Sequence, residues 1–207
     1  MSRAGWLSIW ARRLACAALI VATVLPAMAM AAEERTQLLT LDSERSHADF
    51  EVKLLWLVGV HGRFEHVHGV IAIDRLRDSV MVDARIDTNA VSMRSRSHEN
   101  WVKSAEFFDA QHYPEIQFVS DSIPLQRLQS GGEIEGLLTI RGISRRAKFE
   151  LAAPTCPAAA GENCPVEAVG SIRRSEFGMQ SRRGALSDKV DLSFSIYTVP
   201  QASDPNR

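Results

Sequence analysis

The sequence has no strong excess of charge of either sign. Its 207 residues include 24 basic and 25 acidic side chains, a formal net charge of −1. Such a chain has no general electrostatic attraction for nucleic acid or anionic lipid, and we expect no nucleic acid among its partners. With 45% hydrophobic and 24% charged residues, the composition is that of a globular protein with an ordinary core.

Long hydrophobic runs are absent apart from one near the N-terminus. That run, residues 14–30, is too short for a comfortable membrane span. It follows three arginines and ends in small residues, which is the pattern of a secretory signal peptide. We predict a signal peptide over residues 1–31, one domain over residues 32–207, and no membrane span after cleavage. An uncleaved anchor is the alternative.

Cysteine is scarce, and only Cys156 and Cys164 lie beyond the predicted signal peptide. Two cysteines in an exported protein suggest a disulfide. Each is followed by proline, and Gly161 lies between them, so they flank a turn. We predict a disulfide that closes a small loop, with two free thiols as the alternative.

Motifs for catalysis are also missing. No G-x-S-x-G sequence occurs, and we expect no catalytic residues and no cofactor. One cluster leaves an alternative open, because His61, His66 and His68 fall within eight positions. Zinc needs at least a third and usually a fourth ligand in a tetrahedral array, and no flanking cysteine completes one. We expect no metal site, while an exported enzyme or metal-binding protein using these histidines is the alternative.

What the sequence does contain is alternation of apolar and polar residues. This period of two indicates half-buried antiparallel strands. It recurs along most of the predicted domain, in residues 48–56, 79–87, 115–120, 132–140, 145–153 and 189–198. With two shorter pieces we count about eight strands, which is the number in a small closed barrel.

Residues 97–114 break the alternation. Ser97 could begin a helix, Trp101, Ala105 and Phe108 fall at helical spacing, and Pro114 would stop it. We predict a short helix between strands that covers one end of the barrel. A barrel of this size is either filled by its own side chains or holds one ligand, and alternation fits both cases.

Several segments together resemble the YceI-like family, in order over roughly residues 38–199. They are LDSERSHADFEV, GRFEHVHGVIAID, DARIDTNAV, EFFDAQHYPEIQFVSDSI, GLLTIRGISRRAKFEL, RRSEFGM and LSDKVDLSFSI. The resemblance implies an all-β, eight-stranded antiparallel lipocalin-like barrel in the periplasm. It also implies a lumen that binds an amphiphilic lipid such as a polyisoprenoid, an isoprenoid quinone or a fatty acyl compound.

Two departures from the family pattern predict a more apolar site. Leu54 or Leu55, and also Trp101, stand where members commonly carry histidine. The predicted lumen-facing residues are Phe50, Val52, Leu54, Val82, Ile86, Trp101, Phe108, Phe118, Leu138, Ile140, Phe149, Leu192, Phe194 and Ile196.

Two arginine pairs, Arg173–Arg174 and Arg182–Arg183, allow two interpretations. At a barrel mouth their forked donors could hold a pyrophosphate. They could equally be solvated loop charges balanced by Glu176 and Asp188. The sequence leaves the oligomeric state open.

Overall fold

A computed structural model describes residues 36–55, 57–156, 164–182 and 184–199. The chain divides into two units, Met1–Gln37 and Leu38–Arg207. Of the first, only Thr36 and Gln37 are described, so the predicted signal peptide lies outside the described residues. Apart from Thr36 and Gln37, the fold described below is that of the second unit.

Antiparallel strands make up most of this fold. They are β1 (Thr36–Thr40), β2 (His47–Leu54), β3 (Val58–Glu65), β4 (Val67–Asp74), β5 (Ser79–Asp87), β6 (Val91–Met93), β7 (Glu115–Ser120), β8 (Ile123–Pro124), β9 (Gly132–Ile140), β10 (Ile143–Leu151), β11 (Val166–Arg173) and β12 (Leu186–Ile196). The helices are short: α1 (Arg96–Lys103), α2 (Arg127–Ser130) and a 3-10 helix (Arg174–Phe177). The expected all-β class is confirmed.

The strands form one curled sheet in the order β1-β4-β5-β7-β9-β10-β11-β12-β2-β3-β6, with β8 beside β5. β3 and β4 lie near opposite ends of this order, yet only His66 separates them in the chain. The two strands are therefore one long bent segment, which pairs with β2 through its first half and with β5 through its second. This segment joins the two ends of the sheet.

The count of eight strands is not confirmed, because the described residues form twelve. Four strands lie beyond that count: β6 and β8, which have three residues or fewer, and β3 and β4. The bend at His66 also divides one long segment into β3 and β4. Alternation of apolar and polar residues over a short segment does not reveal a bend, so it cannot show that one segment forms two strands.

The predicted alternation corresponds to burial along the long strands. In β12 the even-numbered residues from Val190 to Ile196 face the core cluster, and in β10 Ala147, Phe149 and Leu151 do so. Around His66 the phase changes. Phe64 is buried before the bend and Val67 and Ile71 after it, so inward positions switch from even to odd numbers.

The predicted helix is present but shorter and shifted. It begins after Ser95 rather than Ser97, and it ends at Lys103. The hydroxyl of the following residue, Ser104, donates to the carbonyl of Trp101 at 2.7 Å. Ala105 and Phe108 therefore lie in the following turns, not on the helix. The helix is mostly polar, and Val102 is its one buried residue.

Alternation of strand direction places the connections at two ends of the sheet. The β2–β3 and β9–β10 turns, the β5–β7 connection with α1, and the β11–β12 connection share one end, here called the α1 end. The β4–β5 turn, the connection with α2 and the β10–β11 loop share the other. None of the described helices has the length and apolar character needed to cross a membrane.

The two cysteines lie at the end opposite α1 and are joined by a disulfide between Cys156 and Cys164. Their Cα atoms are 6.1 Å apart, and Cys164 is buried. Residues 157–163, which carry the predicted turn, lie outside the described residues.

Candidate functional site

An apolar cavity of about 220 Å³ lies inside the curled sheet. Residues from every strand except β1 line it, together with α1, the turns that follow α1, α2 and the β11–β12 connection. Among the described lining residues only Asp49, His98 and Arg174 carry a charged or titratable side chain. The Asp49 carboxylate is turned to the Arg63 guanidinium, with an Nε–Oδ1 distance of 2.6 Å, so little polar chemistry faces the cavity.

All fourteen of the residues predicted to face a lumen line this cavity. They are Phe50, Val52, Leu54, Val82, Ile86, Trp101, Phe108, Phe118, Leu138, Ile140, Phe149, Leu192, Phe194 and Ile196. The period of two correctly selected one face of each strand. That they contact a ligand stays a prediction.

Two groups of aromatic rings lie within this lining. Phe64 lies 5.3 Å from Phe50 and 5.2 Å from Phe108, measured between ring centroids. Phe149 lies 5.2 Å from Phe118 and 5.1 Å from Phe194, both edge to face. Tilted and edge-to-face arrangements of this kind are the favourable ones for aromatic pairs. They give the cavity rigid apolar walls.

Inward-facing glycines make room for these rings. A Cβ at Gly62 would lie 2.3 Å from the Phe50 ring, its partner across β2 and β3. A Cβ at Gly170 would lie 2.5 Å from the Phe149 ring, its partner across β10 and β11. Each glycine therefore allows a phenylalanine to lie flat across the neighbouring strand. For Gly170 the sequence carries a signal, because this glycine occupies the inward phase of β11 with Ala168 and Ile172.

We infer from the exposure of the lining residues that the cavity opens at the α1 end. Among the described lining residues only His98 is exposed. It shares one face of α1 with Trp101 and Val102, because residues three and four positions apart lie on the same side of a helix. Leu54 and Val60, at the facing end of the β2–β3 hairpin, are half-buried in the same lining. The mouth lies between these elements.

Trp101 is held in place by three contacts at this mouth. Its ring meets Phe107 edge to face at 4.4 Å, and its Nε1 donates to Glu106 at 3.1 Å. The Arg182 guanidinium lies 4.9 Å from the centroid of its ring. A tryptophan fixed in this way covers part of the mouth and presents apolar surface to it.

Arg174 is buried, which neither interpretation of the arginine pairs anticipated. Only 2% of it is exposed. Its guanidinium donates to four main-chain carbonyls, those of Met179 (2.6 Å), Ser181 (2.8 Å), Ser187 (2.9 Å) and Leu186 (3.1 Å). These bonds hold the β11–β12 connection closed, so the forked donors serve the fold. Arg173 and Arg182 are exposed, and Arg183 lies outside the described residues.

The histidine cluster is spread over the surface. His61, His66 and His68 each lie nearest a different carboxylate, at 3.9 Å from Glu51, 3.8 Å from Glu44 and 3.4 Å from Glu115. His66 has a φ of 64°, so the strand is interrupted there. His66 and His68 therefore do not lie on one face of a straight strand. Within the described residues no three histidine, cysteine or acidic side chains are grouped as metal ligands.

Some lining residues were not predicted from the sequence. The sequence does not assign Phe64, Val67 and Ile71 to a face, because both faces of their segment are half apolar. Phe107 and His98 were not chosen, although the spacing of His98 to Trp101 and Val102 places all three on one helix face. For Phe64, Val67 and Ile71, the information that the sequence lacked was the change of inward phase at His66.

Comparison with known proteins shows which family this chain matches. The YceI-like domain matches residues 39–198, which is most of the chain and includes every strand from β2 to β12. This chain belongs to the YceI-like family. The expectation from the sequence resemblance is therefore confirmed.

Similar proteins include the YceI proteins of Salmonella arizonae and Salmonella dublin. Each is 27% identical over 168 residues, covering 78% of this chain and 86% of the relative. Among solved structures, BcnA of Burkholderia cenocepacia is 22% identical with a TM-score of 0.62, covering 75% of this chain and 98% of BcnA. A polyisoprenoid-binding domain from Saccharophagus degradans is 14% identical with a TM-score of 0.54, covering 79% of this chain and all of that domain.

Proposed function

We propose that this protein is an exported, periplasmic binding protein that carries or sequesters an amphiphilic lipid with a prenyl or acyl chain. The observation that carries the proposal is the cavity, which is apolar on every side and opens at the α1 end beside His98. The curled sheet would hold its ligand as a lipocalin barrel does. The proposal is for binding rather than catalysis. The cavity walls offer a lipid chain apolar contact and a complementary shape, but they carry few reactive groups.

The size of the cavity supports a slender ligand. Its volume of about 220 Å³ is below the roughly 300–1,000 Å³ of sites for drug-sized molecules. A single flexible chain passes through a narrower space than a fused ring system does. The similar polyisoprenoid-binding domain of Saccharophagus degradans supports a prenyl chain as the first candidate to test.

Burial of the lipid chain should contribute more to the affinity than contacts with the lipid head group do. Full burial of one five-carbon isoprene unit contributes up to about 4 kcal/mol, at roughly 0.8 kcal/mol per buried carbon group. An exposed ion pair at the mouth contributes about 1 kcal/mol or less. Selectivity should therefore follow chain length and the shape of the lumen.

Substitutions in β11 and β12 test the lumen directly. Ala168 lines the cavity opposite Phe194, so Ala168→Trp should fill it and exclude long chains. Phe194→Ala should enlarge it and shift selection toward longer or branched chains, at a stability cost of about 3–5 kcal/mol. The measurement is native mass spectrometry of purified protein, followed by extraction and identification of the bound lipid.

The adjacent residue gives a matched control. Val169 lies on the outer face of the same strand and is 55% exposed, so Val169→Trp adds the same ring without entering the cavity. It should leave occupancy and chain length unchanged. If the wild type takes up no prenyl, quinone or acyl lipid from any mixture, the carrier function is wrong. Equal loss in both tryptophan variants would also contradict a lumen site.

A further inference from the structure

The β2–β3 turn presents an apolar surface to solvent beside the cavity mouth. Leu55 is 59% exposed, Leu57 88% and Val58 58%; these three residues are called the apolar tip. A contiguous group of exposed large apolar side chains marks a contact with another apolar phase. The tip is continuous with the cavity, because Leu54 and Val60 on either side of it line the cavity wall.

The backbone at the tip is also unfavourable for the residue it carries. The Leu57 amide donates to the Leu54 carbonyl at 3.1 Å, which closes a tight turn, and Leu55 has a φ of 48° in it. Short hairpin turns place asparagine or glycine at such positions, since a bulky side chain there is strained. Leu55 is thus strained in its backbone and exposed in its side chain, and neither feature stabilises the isolated molecule.

Charges around the tip suit a lipid head-group layer. Residues 52–60 contain Lys53 and no acidic residue, and Lys53 is exposed. The Leu55 amide donates to the Ala185 carbonyl at 2.7 Å, which brings the β11–β12 connection and its exposed Arg182 alongside. Cations next to an apolar tip can stay at the phosphate level while the tip enters the acyl boundary.

We propose that the apolar tip docks into the surface of a lipid bilayer and so turns the cavity mouth toward the membrane. The purpose of docking rests on the proposed carrier function, because a lipid would then move between bilayer and cavity without crossing water. The docking itself is a property of the tip and does not require a filled cavity. The weak net charge of the chain leaves apolar insertion as the main attraction.

Vesicle flotation tests this proposal. Purified protein, with its N-terminal residue identified by mass spectrometry, is mixed with vesicles of phosphatidylethanolamine and phosphatidylglycerol, and in a second arm with phosphatidylcholine alone. Leu57→Asn should weaken binding about tenfold or more, from the loss of one inserted leucine. Leu55→Asn should weaken it similarly while keeping or raising the melting temperature, because asparagine tolerates a positive φ.

Leu76→Asn is the matched control. Leu76 is a 70% exposed leucine in the β4–β5 turn, at the end opposite α1, and its substitution should leave flotation unchanged. Part of the wild-type binding should remain on phosphatidylcholine, since insertion of apolar side chains does not need anionic lipid. Loss of flotation in the tip variants alone supports the proposal.

Three outcomes would overturn it. The first is recovery of the wild type only in the vesicle-free fraction. The second is flotation of the tip variants equal to that of the wild type, as would occur if an uncleaved leader caused binding. Sedimentation velocity without lipid gives the third: a dimer that the tip variants dissociate, without flotation, would assign the tip to a second copy of the chain. Cavity occupancy is measured by mass spectrometry in the same samples, so an empty cavity with tip-dependent flotation would reject only the carrier function.

Discussion

The buried guanidinium of Arg174 shows how much one residue organises at this site. It joins four carbonyls of the β11–β12 connection while also lining the cavity. A buried cation is tolerated only when its donors are satisfied, and here main-chain oxygens satisfy them. The position of this connection, which carries Arg182 to the mouth, therefore depends on Arg174.

Asp188 supports the same connection from its other side. The Ser175 amide donates to its Oδ1 at 2.9 Å, and the Ser175 hydroxyl donates to its Oδ2 at 2.8 Å. Burial raises the pKa of Asp188, but these two hydrogen bonds and the positive charges of Arg174 and Arg173 outweigh burial. Its pKa in the folded protein lies below the ordinary value.

This pKa predicts a pH-dependent contribution to stability. Because the folded-state pKa is lowered, the ionised carboxylate stabilises the fold above its unfolded pKa of about 4, and the effect is lost as pH falls through the folded pKa. Asp188→Asn should therefore lower the free energy of unfolding by about 1 kcal/mol at pH 7, with the difference shrinking below about pH 4. Urea unfolding at pH 7, 4 and 3 measures it.

Glu176→Gln is the control for this series. Glu176 is an exposed carboxylate on the same 3-10 helix, and its substitution should change stability little at any pH. A difference between Asp188→Asn and wild type that stays constant from pH 7 to pH 3 would contradict the electrostatic explanation.

At the scale of elements, the bent β3–β4 segment determines how the sheet curls. A left-handed residue between two strands redirects the chain and exchanges its two faces. His66 provides that residue here, with a φ of 64°, and Phe64 and Val67 are consequently both buried. The same bend lets one segment pair with β2 and β5, which is how the sheet surrounds a cavity.

The disulfide belongs to one element, the loop between β10 and β11. Its sequence separation of 8 corresponds to about 2.6 kcal/mol of loop entropy. Cys156→Ser should lower the free energy of unfolding by about 2–3 kcal/mol and leave lipid occupancy unchanged, because neither cysteine lines the cavity. Denaturant unfolding and mass spectrometry measure the two quantities.

Reduction of the wild-type protein provides the comparison for that variant. Thiol titration of unreduced, unfolded protein should find no free thiol from Cys156 or Cys164. Reduced wild type should match Cys156→Ser in stability. Loss of bound lipid on reduction would instead show that the loop helps to close the cavity.

At the scale of the whole molecule, the ligand should be part of the folded state. A ligand that binds only the folded protein stabilises it by about 2.7 kcal/mol at a concentration of 100 Kd. Extraction of the lipid should therefore lower the melting temperature by about 5–10 °C for a domain of this size. Addition of a prenyl or acyl lipid of the extracted class should restore it, as scanning calorimetry can measure.

Chelator treatment in the same assay separates a lipid effect from a metal effect. His61, His66 and His68 are directed to three different carboxylates, so we expect the melting temperature and the bound lipid to survive chelation. A large loss that zinc or copper restores would contradict this and favour the metal-binding alternative.

The sequence by itself determined most of the long strands, the faces that these straight strands bury, and the cysteine pair. Alternation with a period of two is a local property, and burial on one side of a sheet follows from it wherever a strand runs straight. For this reason residues such as Phe50, Phe118 and Phe194 could be assigned to the lumen before the fold was known.

Only the tertiary structure decided the rest. The phase change at His66, the burial of Arg174 and the end of α1 at Lys103 all depend on contacts between segments distant in sequence. The Arg174 donors find their acceptors on the far side of a loop, and Phe108 is directed inward by the turns after α1 rather than by helical spacing. Local patterns carry no information about such pairings, because the free energy that fixes them comes from burial and hydrogen bonds formed only when the sheet curls.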